Sequence, residues 1–244
     1  MHFDCKCSQW LIDRPIAHRG LHQNCSIPEN SIAAFEAAIA QNYPIELDVQ
    51  LIADGELAVF HDVALHRLTG AQGSIFEQTL ASLKSLRLLG TDETIPSLGQ
   101  VLHFVDGRVP LLIELKNEGA AGKPEAALLS QVSGYQGLFA IQSFNPCSLQ
   151  WFQHNAPHIL RGQLAGNFKG VPLAWYKKQL LSNLLLNWAS RPHFIAYDVR
   201  ALPNLPTLLS HRIFNLPLLA WTIRSDRDRQ WALKYADNFI FDVF

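Results

Sequence analysis

Four short segments of this sequence carry side chains of the kind that phosphoryl chemistry needs. Two of the side chains are histidines, which serve as general acid and general base near neutral pH. Two are cations that neutralise phosphate oxygens, Arg through a bidentate fork and Lys as a point charge. The remaining side chains are carboxylates, and three of them, Glu46, Asp48 and Glu114, offer oxygens that suit hard cations such as Ca²⁺ or Mg²⁺. The segments are His18-Arg19, Glu46-Leu47-Asp48, His61-Asp62 and Glu114-Leu115-Lys116.

The spacing of the acidic residues places them on one surface of a sheet. Glu46 and Asp48 are two residues apart in an apolar run, so on a strand their side chains point to the same face. Glu114 follows Leu111-Leu112-Ile113, and an acidic residue inside such a run is rare without a partner. On neighbouring strands, these three carboxylates can form one oxygen-rich site for a hard cation.

The elements that carry these residues alternate between strand-length apolar runs and helix-length segments. Such alternation indicates βαβ units with a parallel sheet, and eight units in 244 residues predict a closed (β/α)8 barrel. Active sites of such barrels lie at the carboxyl ends of the strands. The predicted strands are residues 16–18, 45–50, 111–115, 139–143, 159–164, 194–199, 218–222 and 239–242, and the main predicted helices are residues 31–41, 97–105, 124–132, 146–154, 174–189, 206–214 and 226–236.

One strand-like run, residues 56–60, breaks this alternation. Only Ala53-Asp54-Gly55 separate it from Ile52, too few residues for a parallel crossover, and Asp-Gly is a hairpin signal. We therefore predict a β-hairpin extending from the second strand, with His61 beside Asp48. The predicted register pairs Ile52 with Leu57, Gln50 with Val59 and Asp48 with His61.

The segment after the hairpin, residues 62–96, reads as a small insertion over the barrel mouth. It contains several glycines and a short helix pattern near residues 78–86. About 35 residues are too few for a core of their own. We therefore predict one domain over residues 1–244.

Composition excludes some functional classes. The 20 basic and 21 acidic residues leave no strong field to attract nucleic acid, so a small anionic substrate is the expected partner. No run reaches the ~18 to 20 apolar residues of a membrane-spanning helix, and the start lacks a signal-peptide pattern. Cys5-Lys6-Cys7 has no matching metal-ligand pair, so the four cysteines predict free thiols in a reducing cytoplasm.

The predicted helix over residues 174–189 is unusually apolar, with five leucines and two tryptophans. Core packing and contact within a homodimer are the first interpretations. A lipid-facing patch is the alternative, and it would indicate lysophospholipid substrates.

Nine short motifs lie along about nine tenths of the chain: Ile16-Ala-His-Arg-Gly20, Pro28-Glu-Asn-Ser31, Glu46-Leu-Asp-Val49, Val59-Phe-His-Asp62, Leu65-x-Arg67-x-Thr69-Gly70, Ile95-Pro-Ser-Leu98, Ile113-Glu-Leu-Lys116, Ser143-Phe144 and Trp221-Thr222. In sequence and in order, these motifs resemble those of glycerophosphodiester phosphodiesterases.

The resemblance implies a barrel with an insertion after the His-Asp motif, and a divalent cation held by Glu46, Asp48 and Glu114. It implies His18 as base and His61 as acid, with these roles exchanged in a second step. The glycerol hydroxyl next to the phosphate would attack phosphorus, and the cyclic phosphate would then be hydrolysed to glycerol 3-phosphate. The implied phosphate-binding residues are Arg19 and Lys116.

Further positions match the family at the substrate pocket. Phe60, Phe144 and Trp221 match aromatic positions that line it, although core packing is the other interpretation of each. Glu29 matches a position near the metal, and its alternative role is to orient Arg19. The family's Asn at the end of strand seven is Arg224 here, which either meets a second anionic group on the substrate or pairs with Asp226.

These inferences converge on metal-dependent hydrolysis of glycerophosphodiesters to an alcohol and glycerol 3-phosphate. Lysophospholipase D activity is an alternative within the same chemistry. A non-catalytic barrel that binds a phosphodiester, and a metal-independent phosphoinositide-cleaving barrel, are the others. The leaving alcohol is open.

Overall fold

Eight parallel strands close into a barrel in the computed structural model of the chain, which describes residues 8–23 and 26–244. The last strand pairs with the first, since Ile16 lies opposite Ile240, and the first pairs with the second, since Ala17 lies opposite Ile45. The predicted (β/α)8 barrel is therefore confirmed. Cys5, Cys7 and Cys25 lie outside the described residues. The strands are β1 (Ile16–His18), β2 (Ile45–Leu51), the hairpin strand β3 (Leu57–Val59), β4 (Leu111–Leu115), β5 (Phe139–Ser143), β6 (Arg161–Ala165), β7 (Phe194–Asp198), β8 (Leu218–Ile223) and β9 (Asn238–Phe241).

Helices cover the outside of the barrel, and several begin at the polar residue that the sequence suggests. Ser31, Ser97, Asn145 and Asn204 each accept a hydrogen bond from a backbone NH of the first helical turn. The helices are α1 (Trp10–Asp13), α2 (Ile32–Ala40), α3 (His66–Thr69), α4 (Leu80–Leu83), α5 (Leu98–Val105), α6 (Lys123–Val132), α7 (Pro146–Asn155), α8 (Trp175–Ser182), α9 (Asn187–Ser190), α10 (Leu205–Arg212) and α11 (Asp226–Tyr235).

Alternate residues of the strands form two apolar layers. Ile113 packs outward against the helices with Leu47 and Phe35, whereas Leu112 packs inside the barrel. Because Glu46 lies opposite Leu112 and Asp48 lies opposite Glu114, the acidic side chains follow the inward-facing positions. The pleat of β2 and β4 therefore delivers all three carboxylates to the barrel interior.

The amino end of the barrel is closed by α1. Trp10 and Leu11 are buried in the interior cluster with Ile16 and Phe194. Among the described residues, no helix combines the length and the apolar character needed to cross a membrane.

The hairpin forms, but its predicted register is wrong by one residue. Val49 pairs with Val59 and Gln50 with Ala58. The Ile52 backbone NH bonds to the Glu56 carbonyl at 2.9 Å, which leaves a three-residue turn. Gly55 occupies this turn at φ +84°, the left-handed conformation that such a turn requires and glycine adopts at little cost.

Residues 62–96 pack against the hairpin through their own apolar cluster, which includes Leu65, Leu68 and Ile75. The predicted helix near residues 78–86 is reduced to α4. Phe60 belongs to this cluster and is 1% exposed. The prediction that Phe60 lines the substrate pocket is therefore wrong, because its side chain holds the insertion to the hairpin.

The predicted helix over residues 174–189 is wrong as a single element. Leu184, at φ +55°, separates α8 from α9, and its side chain is buried against Tyr197. The core interpretation fails for the two tryptophans, because Trp175 and Trp188 are each 77% exposed.

Candidate active site

A cleft opens at the carboxyl ends of the strands, and most of the predicted site residues line it. Its lining includes one or more residues from β1, β2, β4, β5 and β8 or from the segments that follow them. The lining residues are His18, Arg19, Glu46, His61, Glu114, Lys116, Gln142, Phe144, Leu164, Arg200, Trp221, Thr222, Arg224 and Ile240.

Three carboxylates form a compact group in the floor of the cleft. Glu46 and Asp48 are each 1% exposed and Glu114 is 8% exposed. One oxygen from each lies within 4.8 Å of the other two. Burial raises the pKa of Glu46 well above its usual range, and the charges of Asp48 and Glu114 add to this rise. The group therefore resists full ionisation unless positive charge is brought to it.

Two cations supply part of that charge. Lys116 Nζ lies 3.0 Å from Glu114 Oε1 and 3.3 Å from Asp48 Oδ1, and Arg19 Nε lies 3.2 Å from Asp48 Oδ2. Burial acts to raise the pKa of Asp48, but Lys116 and Arg19 hold it well below its usual range. Asn30 Nδ2 also donates to Asp48 Oδ2 at 2.9 Å.

The backbone of the His18-Arg19-Gly20 motif supplies a further hydrogen-bond donor to the three carboxylates. Arg19 lies at φ +57°, in the left-handed region, and its backbone NH donates to Glu46 Oε2 at 3.1 Å. Gly20 follows at φ +81°, and a Cβ there would lie 2.7 Å from the carbonyl carbon of Ala34. Glycine is thus required where the chain passes against α2.

The two histidines are held in the same way by two aspartates. His18 Nδ1 lies 2.6 Å from Asp242 Oδ1, and His61 Nδ1 lies 2.7 Å from Asp62 Oδ1. Both contacts occupy Nδ1 and leave Nε2 for chemistry; His18 Nε2 is 4.0 Å from Glu46 Oε2. Burial lowers the pKa of His18, although its hydrogen bond to Asp242 opposes this, so its neutral form is favoured near pH 7.

Asp242 is a residue of the site to which the sequence assigned no role. It follows β9, and because Ala17 pairs with Phe241 the next residue along lies beside His18. Its Oδ1 also lies 3.4 Å from His22 Nε2, and Arg224 Nε donates to its Oδ2 at 2.7 Å. Burial acts to raise the pKa of Asp242, but the hydrogen bonds from His18 and His22 hold it far below its usual range.

One expectation about these neighbours is corrected. Arg224 pairs with Asp242 and not with Asp226, and its backbone NH donates to Asp228 Oδ2 at 3.3 Å. Sequence spacing favoured the nearer aspartate, whereas barrel closure brings in the distant one.

Glu29 lies beside the group without joining it. Its carboxylate accepts a hydrogen bond from Arg19 Nη1 at 2.5 Å. It also accepts hydrogen bonds from both terminal nitrogens of Arg67, at 2.8 and 2.7 Å. Arg67 also donates through Nε to Asp62. The Glu29 carboxylate thus links Arg19 to the segment that carries His61 and Asp62, and Arg67 is a second residue whose role was missed.

Aromatic rings form one wall of the cleft. Phe144 and Trp221 meet edge to face with their ring centroids 5.5 Å apart. Both residues line the cleft, whereas Phe60 does not.

The donor set fits a divalent cation. All three carboxylates are buried oxygen ligands, the donors that Ca²⁺ and Mg²⁺ favour. Buried Gln142 Oε1 accepts no hydrogen bond from any described residue, and buried Asp48 Oδ1 is met by Lys116 Nζ in an ion pair at 3.3 Å without a hydrogen bond. Gln142 lies next to Glu46, to which its Nε2 donates at 3.4 Å. Unfilled acceptors beside like charges are what a metal ion would satisfy.

The family model for the glycerophosphoryl diester phosphodiesterase family matches residues 18–242. The chain belongs to this family. The matched residues run from His18, at the end of β1, to Asp242, so the match includes both histidine–aspartate pairs. The resemblance of the sequence motifs is thereby confirmed.

Several curated proteins are similar to this chain. A glycerophosphodiester phosphodiesterase of Caldanaerobacter subterraneus subsp. tengcongensis is 37% identical over 163 residues, which cover 61% of this chain and 65% of the relative, slightly under two thirds of its length. An uncharacterized protein of Mycoplasma genitalium is 29% identical over 243 residues, or 93% of this chain and 92% of that protein.

Among solved structures, a phosphodiesterase of Oleispira antarctica in complex with the product sn-glycerol-3-phosphate superposes with a TM-score of 0.80. It is 25% identical, and the match covers 96% of this chain and 95% of that one. A structure from Silicibacter pomeroyi, also with a TM-score of 0.80 but 23% identical, shares the fold.

Proposed function

We propose that this chain hydrolyses glycerophosphodiesters to an alcohol and glycerol 3-phosphate, using a divalent cation and two histidines. The observation that carries the proposal is the grouping of Glu46, Asp48 and Glu114 between two histidines whose Nδ1 atoms are fixed by aspartates. Family membership supports the reaction class. The product bound to the Oleispira antarctica phosphodiesterase supports glycerol 3-phosphate as the product.

A bound Ca²⁺ or Mg²⁺ would be held by Glu46, Asp48 and Glu114, and would supply electrostatic stabilisation of the phosphate charge that develops in the transition state. Lys116 and Arg19 lie against the same carboxylates, which orients their remaining donors. These two cations bind the non-bridging phosphate oxygens and stabilise charge as it builds.

His18 is the base of the first step and His61 the acid. Burial favours neutral His18, whose Nε2 accepts the proton of the glycerol hydroxyl next to the phosphate. That oxygen forms a bond to phosphorus as the bond to the leaving alcohol breaks, and His61 Nε2 donates a proton to the departing oxygen. In the second step the roles exchange, because water opens the cyclic phosphate and the glycerol oxygen regains its proton.

Asp242 and Asp62 act as positioning residues for this chemistry. Each accepts the Nδ1 proton of its histidine and so fixes the tautomer that leaves Nε2 as the reacting atom. Arg67 in turn holds Asp62, so residues 62–96 take part in orienting His61. We therefore place this insertion in the same domain as the barrel.

The direct test is release of glycerol 3-phosphate from glycerophosphoethanolamine by the purified chain. EDTA should remove the activity, and added Ca²⁺ or Mg²⁺ should restore it. Glu114→Gln should weaken cation binding in calorimetry about 10- to 100-fold without loss of folding. Glu118→Gln, an exposed glutamate four residues along, is the matched control. Full activity in EDTA, or unchanged cation binding by Glu114→Gln, would contradict the proposal.

A second candidate, lysophospholipase D activity, is favoured by the connection between β6 and β7. Its residues 167–189 contain exposed Trp175, Tyr176 and Trp188 and three lysines but no acidic residue. Phe168 in this connection packs against Phe144 of the cleft wall with ring centroids 6.0 Å apart. An apolar, cationic surface that is continuous with the cleft is suited to an acyl chain on the substrate.

A substrate panel separates these candidates. Glycerol 3-phosphate from short diesters supports the first, and lysophosphatidic acid from lysolipids supports the second. Turnover of neither would favour a non-catalytic, phosphodiester-binding barrel. Light scattering of the same sample tests the homodimer, the other interpretation of the exposed tryptophans.

A further inference from the structure

Two arginines stand at the rim of the cleft, beyond the residues that the reaction uses. Arg200 follows β7 and is 74% exposed at its side chain; Arg224 follows β8 and is 58% exposed. Both line the cleft. The acidic residues among the described lining are Glu46 and Glu114, which belong to the carboxylate group in the floor. The rim of the cleft therefore presents two exposed guanidinium groups, each paired with one carboxylate.

Both guanidinium groups are held in place by carboxylates. Arg200 donates to Asp198 through Nε and Nη2, each at 3.1 Å, and the Asp198 carboxylate also accepts the Arg200 backbone NH at 2.9 Å. Arg224 is held through Nε by Asp242. Within the described residues, Arg200 Nη1 and both terminal nitrogens of Arg224 donate to no protein acceptor. Arginines that are already held in place, with free donors, lose less side-chain entropy on binding a ligand than mobile arginines do.

We propose that Arg200 and Arg224 form a subsite for an anionic group, a carboxylate or a phosphate, on the leaving alcohol. This inference rests on the proposed function. Arg19, Lys116 and a cation held by the three carboxylates would match the reacting phosphate, and the glycerol portion of the substrate is neutral. The leaving alcohol is the remaining portion of the substrate that can carry a further negative charge.

The same rim is poorly suited to a cationic head group such as choline. Two guanidinium groups repel a like charge. The carboxylates beside them, Asp198, Asp228 and Asp242, already accept hydrogen bonds from Arg200 and Arg224. The subsite serves both candidate functions, since glycerophosphodiesterases and lysophospholipases D release the same head-group alcohol.

The test compares glycerophosphoserine with glycerophosphoethanolamine, which differ by one carboxylate. We expect the wild type to prefer glycerophosphoserine about tenfold in kcat/KM at low salt, a preference that screening by salt reduces. Arg200→Gln should bring the ratio close to one while changing kcat/KM for glycerophosphoethanolamine less than about twofold, because Arg200 contacts no residue of the carboxylate–histidine machinery. Arg229→Gln, an exposed arginine of α11, is the control and should keep the preference.

A second pair of substrates distinguishes the two anions. Glycerophosphoglycerol and its terminal phosphate ester differ by a phosphate, and a larger ratio for this pair than for the serine pair would assign the subsite to phosphate. Arg224→Gln is not used as the selective variant, because Arg224 also holds Asp242 and its loss should slow both substrates.

The inference fails if the wild type turns over glycerophosphoethanolamine with no preference for either anionic substrate, or if Arg200→Gln keeps the preference. That outcome leaves the proposed function intact. If no diester is hydrolysed, the proposed function fails instead. Calorimetry with glycerophosphoserine then tests the subsite. The wild type should bind glycerophosphoserine, and Arg200→Gln should bind it more weakly; any other result contradicts the subsite.

Discussion

Both ends of the barrel bury charged side chains, but they compensate the charge differently. At the carboxyl end, three carboxylates face two cations, and two buried oxygens accept no hydrogen bond from the described residues. At the amino end, Arg161 is 4% exposed, and its side chain donates to the carbonyls of Ser190, Pro157 and Ile159 at 3.1 to 3.4 Å. Burial lowers the pKa of Arg161 to about 10, with a further contribution from Arg191.

The difference indicates a functional role for the buried charges at the carboxyl end and a structural role for Arg161 at the amino end. The donors of Arg161 satisfy backbone carbonyls, so this charge serves the fold alone. The carboxylates at the other end lie close to one another, and their mutual repulsion opposes folding until a cation is bound. Proteins tolerate such arrangements where function requires them. Changes at the carboxyl end should therefore lower activity with little effect on stability, and changes at the amino end should do the reverse.

His18→Ala should have the largest effect at the carboxyl end. Loss of the general base should lower kcat about 10³-fold or more. The melting temperature should change by less than about 3 °C, since one partly solvated ring is removed without opening the core. Steady-state kinetics and calorimetry measure the two quantities. Activity within tenfold of wild type would remove His18 from the mechanism.

Asp242→Asn should lower kcat about 100-fold, because the asparagine does not fix the His18 tautomer as the carboxylate does. The hydrogen bond and the charge of Asp242 both raise the pKa of His18 against the effect of burial. Removing them should lower that pKa further. Since the base must be neutral, the acid limb of the kcat profile should move to lower pH. A fall in kcat with an unmoved limb would indicate a structural role only.

Arg161→Leu should lower stability with little effect on activity, the reverse of the changes at the carboxyl end. Three carbonyls at the amino end would lose their donor, which should cost about 2–4 kcal/mol in the free energy of unfolding. The kcat of the folded fraction should stay within about twofold of wild type, because no site residue contacts Arg161. Denaturant unfolding measures the loss, and the exposed neighbour Arg191→Gln is the control. A stability loss under about 0.5 kcal/mol would show that the buried charge is not needed by the fold.

The sequence predicted the eight barrel strands because each is a short apolar run between helix patterns, and it predicted the three carboxylates because the pleat of a strand puts alternate residues on one face. These are local properties. The hairpin was predicted from Asp54-Gly55, but its register depends on the turn geometry at Gly55, and a one-residue difference there changes every pairing.

The residues that were missed depend on contacts between distant parts of the chain. Asp242 meets His18 because the last strand pairs with the first; a barrel prediction implies this closure, so the register of β9 against β1 could have found it. Arg67 reaches Glu29 and Asp62 through the path of the insertion, which no periodicity encodes. Phe60 was misplaced for the same reason, because its partners lie in residues 62–96.

The smallest predicted effect is a pH dependence of stability at the amino end. The half-buried His193 accepts the Arg161 backbone NH at Nδ1, at 3.1 Å, an arrangement that suits the neutral ring. Burial, with the nearby charge of Arg161, lowers the pKa of His193 to about 4. The unfolded chain therefore binds the proton first as the pH falls below about 6.5.

Stability should thus decrease as the pH falls from about 6.5 to about 4 and level off below that, by about 1–2 kcal/mol after allowance for partial exposure. His193→Asn keeps an acceptor for the Arg161 NH but cannot titrate, so the wild type should lose that much more stability than the variant over this range. Chemical unfolding at several pH values measures the difference. Parallel curves for the two proteins would mean that His193 binds its proton as readily in the folded chain as in the unfolded one. In that case His193 would contribute nothing to the pH dependence of the free energy of unfolding.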